Sequence, residues 1–146
     1  MSAALTRADV VTAASRWTGT PYRHQASLCG VGCDCLGLVR GVWRDLIGDE
    51  PEPAPPYTPD WAEATGDETL LSAARQHLTE RPIGEALAGD VLLFRMVQGA
   101  PAKHAGILIA PDILLHAYWG RSVCESRLAP WWRRRIAGAF SFPNVS

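Results

Sequence analysis

The sequence predicts an α+β domain in which helices come first and an antiparallel sheet follows. Three observations carry this. Apolar residues recur at helical spacing in segments before about residue 80. After Gly89 the pattern changes to short runs rich in β-branched and aromatic residues, separated by turn residues. The chain has 146 residues, 47% of them hydrophobic and 20% charged, enough for one domain with a buried core.

Thr6 and Asp9 form a capping box before a first helix. Val10, Ala14 and Trp17 share one face of that helix, and Gly19 and Pro21 end it. Residues 22–34 read as a loop. A second helix starts near Cys35, with Asp34 as its N-cap. Cys35, Leu38, Val39, Val42 and Leu46 form its apolar stripe, and Arg40 and Arg44 lie opposite. Gly37 and Gly41 fall between these faces, where a neighbour can approach the backbone.

The stretch from Pro51 to Pro59 holds five prolines and is irregular. We take about 49–66 as an insertion within one domain spanning 1–146. A third helix is expected from about Asp67 to Thr79, burying Leu70, Ala74 and Leu78 and stopped by Pro82. Five strands are expected: Val91–Phe94, His104–Ala110, Ile113–Tyr118, Ser122–Arg127 and Ile136–Phe142. The fold is therefore N-terminal helices packed on a central antiparallel sheet of about five strands.

Fourteen Lys and Arg against fifteen Asp and Glu give a net charge of −1, which argues against a nucleic-acid binder. No apolar run approaches the roughly 20 residues of a membrane helix, and residues 1–9 lack a secretory signal pattern. Synthesis and folding in the cytoplasm are expected. Cys29, Cys33 and Cys35 crowd into seven positions, with Cys124 elsewhere. In a reducing compartment this suggests a reactive or metal site more than structural bridges.

A helix N-terminus lowers a thiol pKa, and a nearby imidazolium does the same. Cys35 stands where such a helix begins, while Cys33 lies in the loop before it, so Cys35 is the better nucleophile. His104 opens one strand and His116 lies in the next. A base on a strand facing a thiol on a helix is a rigid pairing, and a second histidine can orient the first. His77 reads as an ordinary helix residue, and His24 is open between that reading and a place in the site. The triad has a geometric condition. A regular two-residue turn at Pro111-Asp112 would put His104 and His116 on opposite sheet faces. An odd register is therefore expected, from a three-residue loop pairing Ile109 with Ile113 or from a bulge.

Gly19-Thr20-Pro21-Tyr22-Arg23-His24-Gln25, Asp34-Cys35-Leu36-Gly37-Leu38-Val39, His104-Ala105-Gly106-Ile107 and Leu115-His116-Ala117 together resemble the NlpC-type, papain-like cell-wall peptidases. The histidines are 12 positions apart, as in that pattern. The resemblance implies Cys35 as nucleophile, His104 as general base and acid, and His116 as its orienting partner. Tyr22, Asp34 and His24 become the candidates for oxyanion and substrate contacts, with the Cys35 N–H as a donor. It implies a peptidoglycan stem-peptide substrate, commonly cut after D-γ-glutamate, and no metal or other cofactor. Leu36 departs from the pattern, which often has Ser there, and so does the proline-rich insertion.

The finer texture, Pro21-Tyr22-Arg23-His24-Gln25 and then Gly32-Cys33-Asp34-Cys35-Leu36-Gly37-Leu38-Val39-Arg40, is similar to the branch encoded with phage and gene-transfer-agent tails. That implies tail-tip or hub proteins as partners and action at the cell wall or periplasm, without membrane insertion. Three other readings stay open. One is a zinc or redox site built from Cys29, Cys33 and Cys35 with His24 or Cys124. Another is a non-catalytic tail component that binds through Trp131-Trp132-Arg133-Arg134-Arg135. The third is a thiol acyltransferase or amidase on another substrate.

Overall fold

A computed structural model of the chain describes residues 4–51, 68–118 and 120–146. The first helix, α1 (Arg7–Ser15), opens on the expected capping box: the Thr6 hydroxyl accepts from Asp9 N–H, and the Asp9 carboxylate accepts from Thr6 N–H. It ends before Trp17, and a turn leads to Gly19, whose φ of +87° suits a residue without Cβ. Within the expected loop 22–34 the chain makes a small antiparallel ladder, β1 (Ser27–Leu28) on β2 (Gly32–Cys33).

Helix α2 (Cys35–Leu46) begins at the expected residue with Asp34 as N-cap. Leu38 and Val42 are fully buried. A Cβ on Gly41 would fall inside the ring of Trp17, so Gly41 is the site where α1's aromatic residue sinks against α2. A Cβ on Gly37 would fall on the Ala26 carbonyl, where the loop before β1 crosses the helix.

The proline-rich segment lies outside the described residues from 52 to 67, as does Asp67, the expected start of the next helix. Helix α3 (Thr69–His77) buries Leu70, Leu71 and Ala74. It is shorter than expected at its C-terminal end. Thr79 belongs to a strand, β3 (Thr79–Arg81), and Pro82 follows that strand instead of stopping the helix. A 3₁₀ turn, Ile83–Glu85, then leads to β4 (Val91–Phe94).

Strands β4, β5 (His104–Ala110), β6 (Ile113–His116), β7 (Cys124–Arg127) and β8 (Ile136–Ser141) form with β3 a six-stranded antiparallel sheet ordered β3-β8-β4-β5-β6-β7. A short helix, α4 (Pro130–Arg133), joins β7 to β8 with Pro130 at its first turn.

Both faces of the sheet are covered. Val91, Leu93, Ala105, Ile107, Leu115 and Phe140 pack with Val10, Leu38, Val42 and Leu71 from the helices. Leu92, Phe94, Leu108, Leu114 and Ala139 form a second cluster with Leu128 and Trp132. Covering on both sides explains why β4 is apolar at every position instead of alternating. Among the described residues no helix is long and apolar enough to cross a membrane.

Candidate functional site

The β5–β6 hairpin decides which way its histidines face. Ile107 pairs with Leu115 and Leu108 with Leu114, but Ala110 pairs with Ile113. Ile109 is the extra residue of a β-bulge beside the Pro111-Asp112 turn. This is one of the two odd registers expected, and it sets His104 and His116 on the same face. Their rings meet, with His104 Nε2 2.8 Å from His116 Nδ1. Continuing the ladder puts Gly106 opposite His116. A Cβ there would lie 2.6 Å from Leu114 Cδ1 and 3.1 Å from His116 Cβ, so this glycine makes room for Leu114 first and then for the base of the His116 side chain.

Both histidines are buried, at 7% and 1% exposure. Their walls are aromatic. The Trp132 ring lies 5.6 Å from His104 and 5.0 Å from His116. Tyr118 stands edge-on to His104 at 5.5 Å, and Phe94 lies 5.8 Å away. Burial lowers the pKa of His104 to about 3, helped by the neighbouring His116, and that of His116 to about 4. Both rings are therefore neutral at pH 7.

Cys35 reaches this strand from the other direction. Its sulfur lies 3.9 Å from the Lys103 carbonyl oxygen, and the Ala105 N–H donates toward it. The residues on either side of His104 thus both touch the thiol through their backbones. Burial first, and then the Asp34 carboxylate, push the thiol up to about 12. The N–H groups of Ala105, Leu36 and Cys35 itself act in the opposite direction, as donors that favour a thiolate.

Asp34 is 2% exposed, and both its oxygens are engaged. Oδ1 accepts from Gly37 N–H at 2.7 Å and Oδ2 from Gln25 N–H at 2.8 Å. Asp34 therefore fastens the loop that carries Tyr22 onto the start of α2. Gln25 takes a left-handed conformation, φ +64°, to reach it. His24 Nδ1 lies 3.9 Å from Asp34 Oδ2 on the half-exposed rim. Tyr22 bridges to Cys33. Burial, followed by the charges of Cys35 and Asp34, raises its phenol to about 12, so it stays a neutral hydroxyl within electrostatic reach of Cys35. The structure thus gathers Cys35, His104, His116, Tyr22, Asp34 and His24 around the start of α2 and the mouth of β5.

The other cysteines stand apart in character. Cys33 is buried, Cys29 is exposed and Cys124 is half-buried, all as free thiols. Among the described residues no group of three or more His, Cys, Asp or Glu is placed to hold a metal ion. Trp131 and Trp132 divide their work. Trp132 packs on the histidines, while Trp131 is 42% exposed with the Arg135 guanidinium 3.7 Å above its ring. Two contributors escaped the sequence reading. Packing of the tryptophans is the favoured reading of residues 131–135, but nothing in the sequence places Trp132 on the histidines, and Ser126, whose hydroxyl lies 2.8 Å from His116 Nε2, carries no signal outside the sheet register.

Residues 19–141 match the NlpC/P60 family. The chain belongs to that family. Its sequence is 28% identical over 141 residues to a γ-DL-glutamyl hydrolase of Bacillus subtilis, covering 94% of this chain and 30% of that protein. The chain thus spans less than a third of that relative's length. Among solved structures, the NlpC/p60 domain of the peptidoglycan hydrolase SagA superposes with a TM-score of 0.67 at 23% identity, over 94% of this chain and 100% of that one. An NlpC/P60 family protein from Bacillus cereus gives 0.69 at 19% identity, over 96% of this chain and 41% of that one. These likenesses carry the fold.

Proposed function

We propose that the protein hydrolyses an amide bond in peptidoglycan stem peptides, at the bond after D-γ-glutamate, through a thioester on Cys35. The observation that carries the reading is the joined set at the mouth of β5: a helix-start thiol on the backbone flanking His104, and His104 hydrogen-bonded to His116. The 28% identity to a γ-DL-glutamyl hydrolase supports the choice of bond.

With His104 Nε2 engaged by His116, Nδ1 is the nitrogen left to act on the thiol. His104 Nδ1 takes the Cys35 proton as Sγ attacks the carbonyl carbon. The oxyanion is held by the Cys35 N–H at the helix start, with the Tyr22 hydroxyl beside it. The C–N bond breaks as His104 returns the proton to the leaving amine, which gives the thioester. Water, deprotonated by His104, then hydrolyses it and restores the thiol.

Incubating the protein and its Cys35→Ala variant with purified peptidoglycan tests this. The native protein should release fragments whose masses end at D-glutamate. The variant should lose activity by a factor on the order of 10⁶, as when other hydrolases lose their nucleophile. Equal release by both would end the catalytic reading.

We further propose that the protein acts as a component of a phage-like or gene-transfer-agent tail, opening the wall for DNA delivery. Support comes from the Pro21–Gln25 and Gly32–Arg40 sequence texture. If so, the chain co-purifies with intact tailed particles through a density gradient. A chain found only outside the particles would refute that role.

A further inference from the structure

His116 is held at both ring nitrogens, 2.8 Å from His104 Nε2 on one side and 2.8 Å from the Ser126 hydroxyl on the other. We propose that Ser126 is a positioning residue that acts as acceptor to His116 Nε2–H, the arrangement in which His104 Nδ1 stays unprotonated for the Cys35 thiol. The proposal rests on the reading of Cys35 and His104 as nucleophile and base.

The placement follows from the sheet. In the β6–β7 ladder Leu114 pairs with Ser126 and His116 with Cys124, so His116 and Ser126 share a face as diagonal neighbours. Ser126 is half-buried on the edge strand, and Trp132 and Tyr118 line the imidazole it meets. In such a low-dielectric setting each hydrogen bond of a chain is strengthened, and a wrongly placed proton is costly.

Two neutral imidazoles carry one ring proton each. At the observed spacings only two arrangements make both bonds. In the first, His104 Nε2–H donates to His116 Nδ1, His116 Nε2–H donates to the Ser126 oxygen, and His104 Nδ1 keeps its lone pair. In the second, Ser126 donates to His116 Nε2, His116 Nδ1–H donates to His104 Nε2, and His104 carries its proton on Nδ1, where it cannot act as a base. Productive chemistry requires Ser126 as acceptor.

A hydroxyl suits this task better than a carboxylate would. A carboxylate beside His116 would favour its charged form, whereas a serine oxygen accepts the proton bond and leaves the pair neutral. When His104 takes the thiol proton, the resulting imidazolium still donates to His116, and Ser126 still accepts from it.

Long-range ¹H–¹⁵N spectra of the full chain read the tautomers directly. Both His104 and His116 are expected with protonated Nε2 and unprotonated Nδ1, and a protonated Nδ1 on His116 would overturn the proposal. In Ser126→Ala, alkylation of Cys35 by iodoacetamide at pH 7 is expected to slow. Turnover of purified stem tetrapeptide should fall about ten- to a hundred-fold in kcat with KM kept, the range for loss of an outer hydrogen-bond partner. Ser126→Thr, which keeps the hydroxyl, should restore both, and undiminished alkylation in Ser126→Ala would refute the role. The spectra need no turnover. Expected tautomers in a protein that does not cut peptidoglycan would therefore support this proposal while removing the peptidase reading.

Discussion

At the scale of single residues, Cys35 and His104 are both held in their uncharged forms. Burial raises the thiol to about 12 and lowers the two imidazoles to about 3 and 4. In the proposed mechanism the charged pair forms only as the proton crosses from sulfur to nitrogen. The sign of the pH effect follows. Each histidine has a folded pKa below its ordinary value of about 6.5, so lowering the pH protonates the unfolded chain first. Stability conferred by the neutral rings is complete above about pH 6.5 and is lost as pH falls toward the folded values. Catalysis follows the folded values alone. kcat/KM should be flat from about pH 5 to 9 and fall only below about pH 4, where His116 and His104 take up protons. Initial rates on a soluble stem peptide check this, and an acid limb near pH 6 to 7 would show that the imidazoles are not held neutral.

At the scale of elements, the β5–β6 hairpin absorbs one extra residue in a bulge while its two histidines keep a common face. Ile109 is the residue that breaks the ladder, and the two-residue turn beyond it is otherwise ordinary. Deleting Ile109 should leave Leu108 paired with Leu114 and Ala110 with Ile113, now in an unbroken ladder. His104 and His116 would keep their face. Peptidase activity is expected to stay within about ten-fold of the native chain, although a residue has been removed from the middle of a strand. Measuring stem-peptide hydrolysis by the deletion variant decides it, and loss comparable to Cys35→Ala would mean that the bulge has a further role. Such local signals were legible where the residues carried strong pattern: the capping box of α1, the Asp34 start of α2, and β4 and β5 to the residue. Weak pattern hid the rest. Thr79-Glu80-Arg81 is a short, largely exposed edge strand, and its first residue, Thr79, reads as the end of α3. The β1–β2 ladder has only two residues per strand, too few for an alternation to register. Ser126 could not be singled out because its meaning depends on the β6–β7 register, a pairing between strands that no local window contains.

At the scale of the molecule, the proposed site sits on a sheet that Asp90 helps to tie to the first and last described segments. Leu5 bridges to Val145, and Ser146 N–H donates to the Leu5 carbonyl at 3.1 Å, so the first and last described segments run side by side. Asp90, fully buried before β4, is linked to that junction through Arg7, whose N–H donates to the Ser146 carbonyl. Its Oδ1 accepts from Arg7 of α1 at 2.6 Å and from the Ser141 hydroxyl of β8 at 2.6 Å. Its Oδ2 accepts from Leu87 N–H at 2.9 Å and pairs with Arg81 of β3 at 3.2 Å. One carboxylate thus joins a helix, two strands and a loop. Asp90→Ala would leave two guanidinium groups and a hydroxyl facing a buried gap. Removing one partner of a buried ion pair costs about 3–5 kcal/mol, a large share of the stability of a domain this size. None of these groups takes part in the Cys35–His104–His116 set. Urea unfolding should therefore show the unfolding free energy falling by that amount, as a lower midpoint with an unchanged slope. Below the transition the remaining folded protein should keep its kcat. A loss under about 1 kcal/mol would mean that water replaces the carboxylate at this junction, and that the ends of the chain are held by the sheet alone.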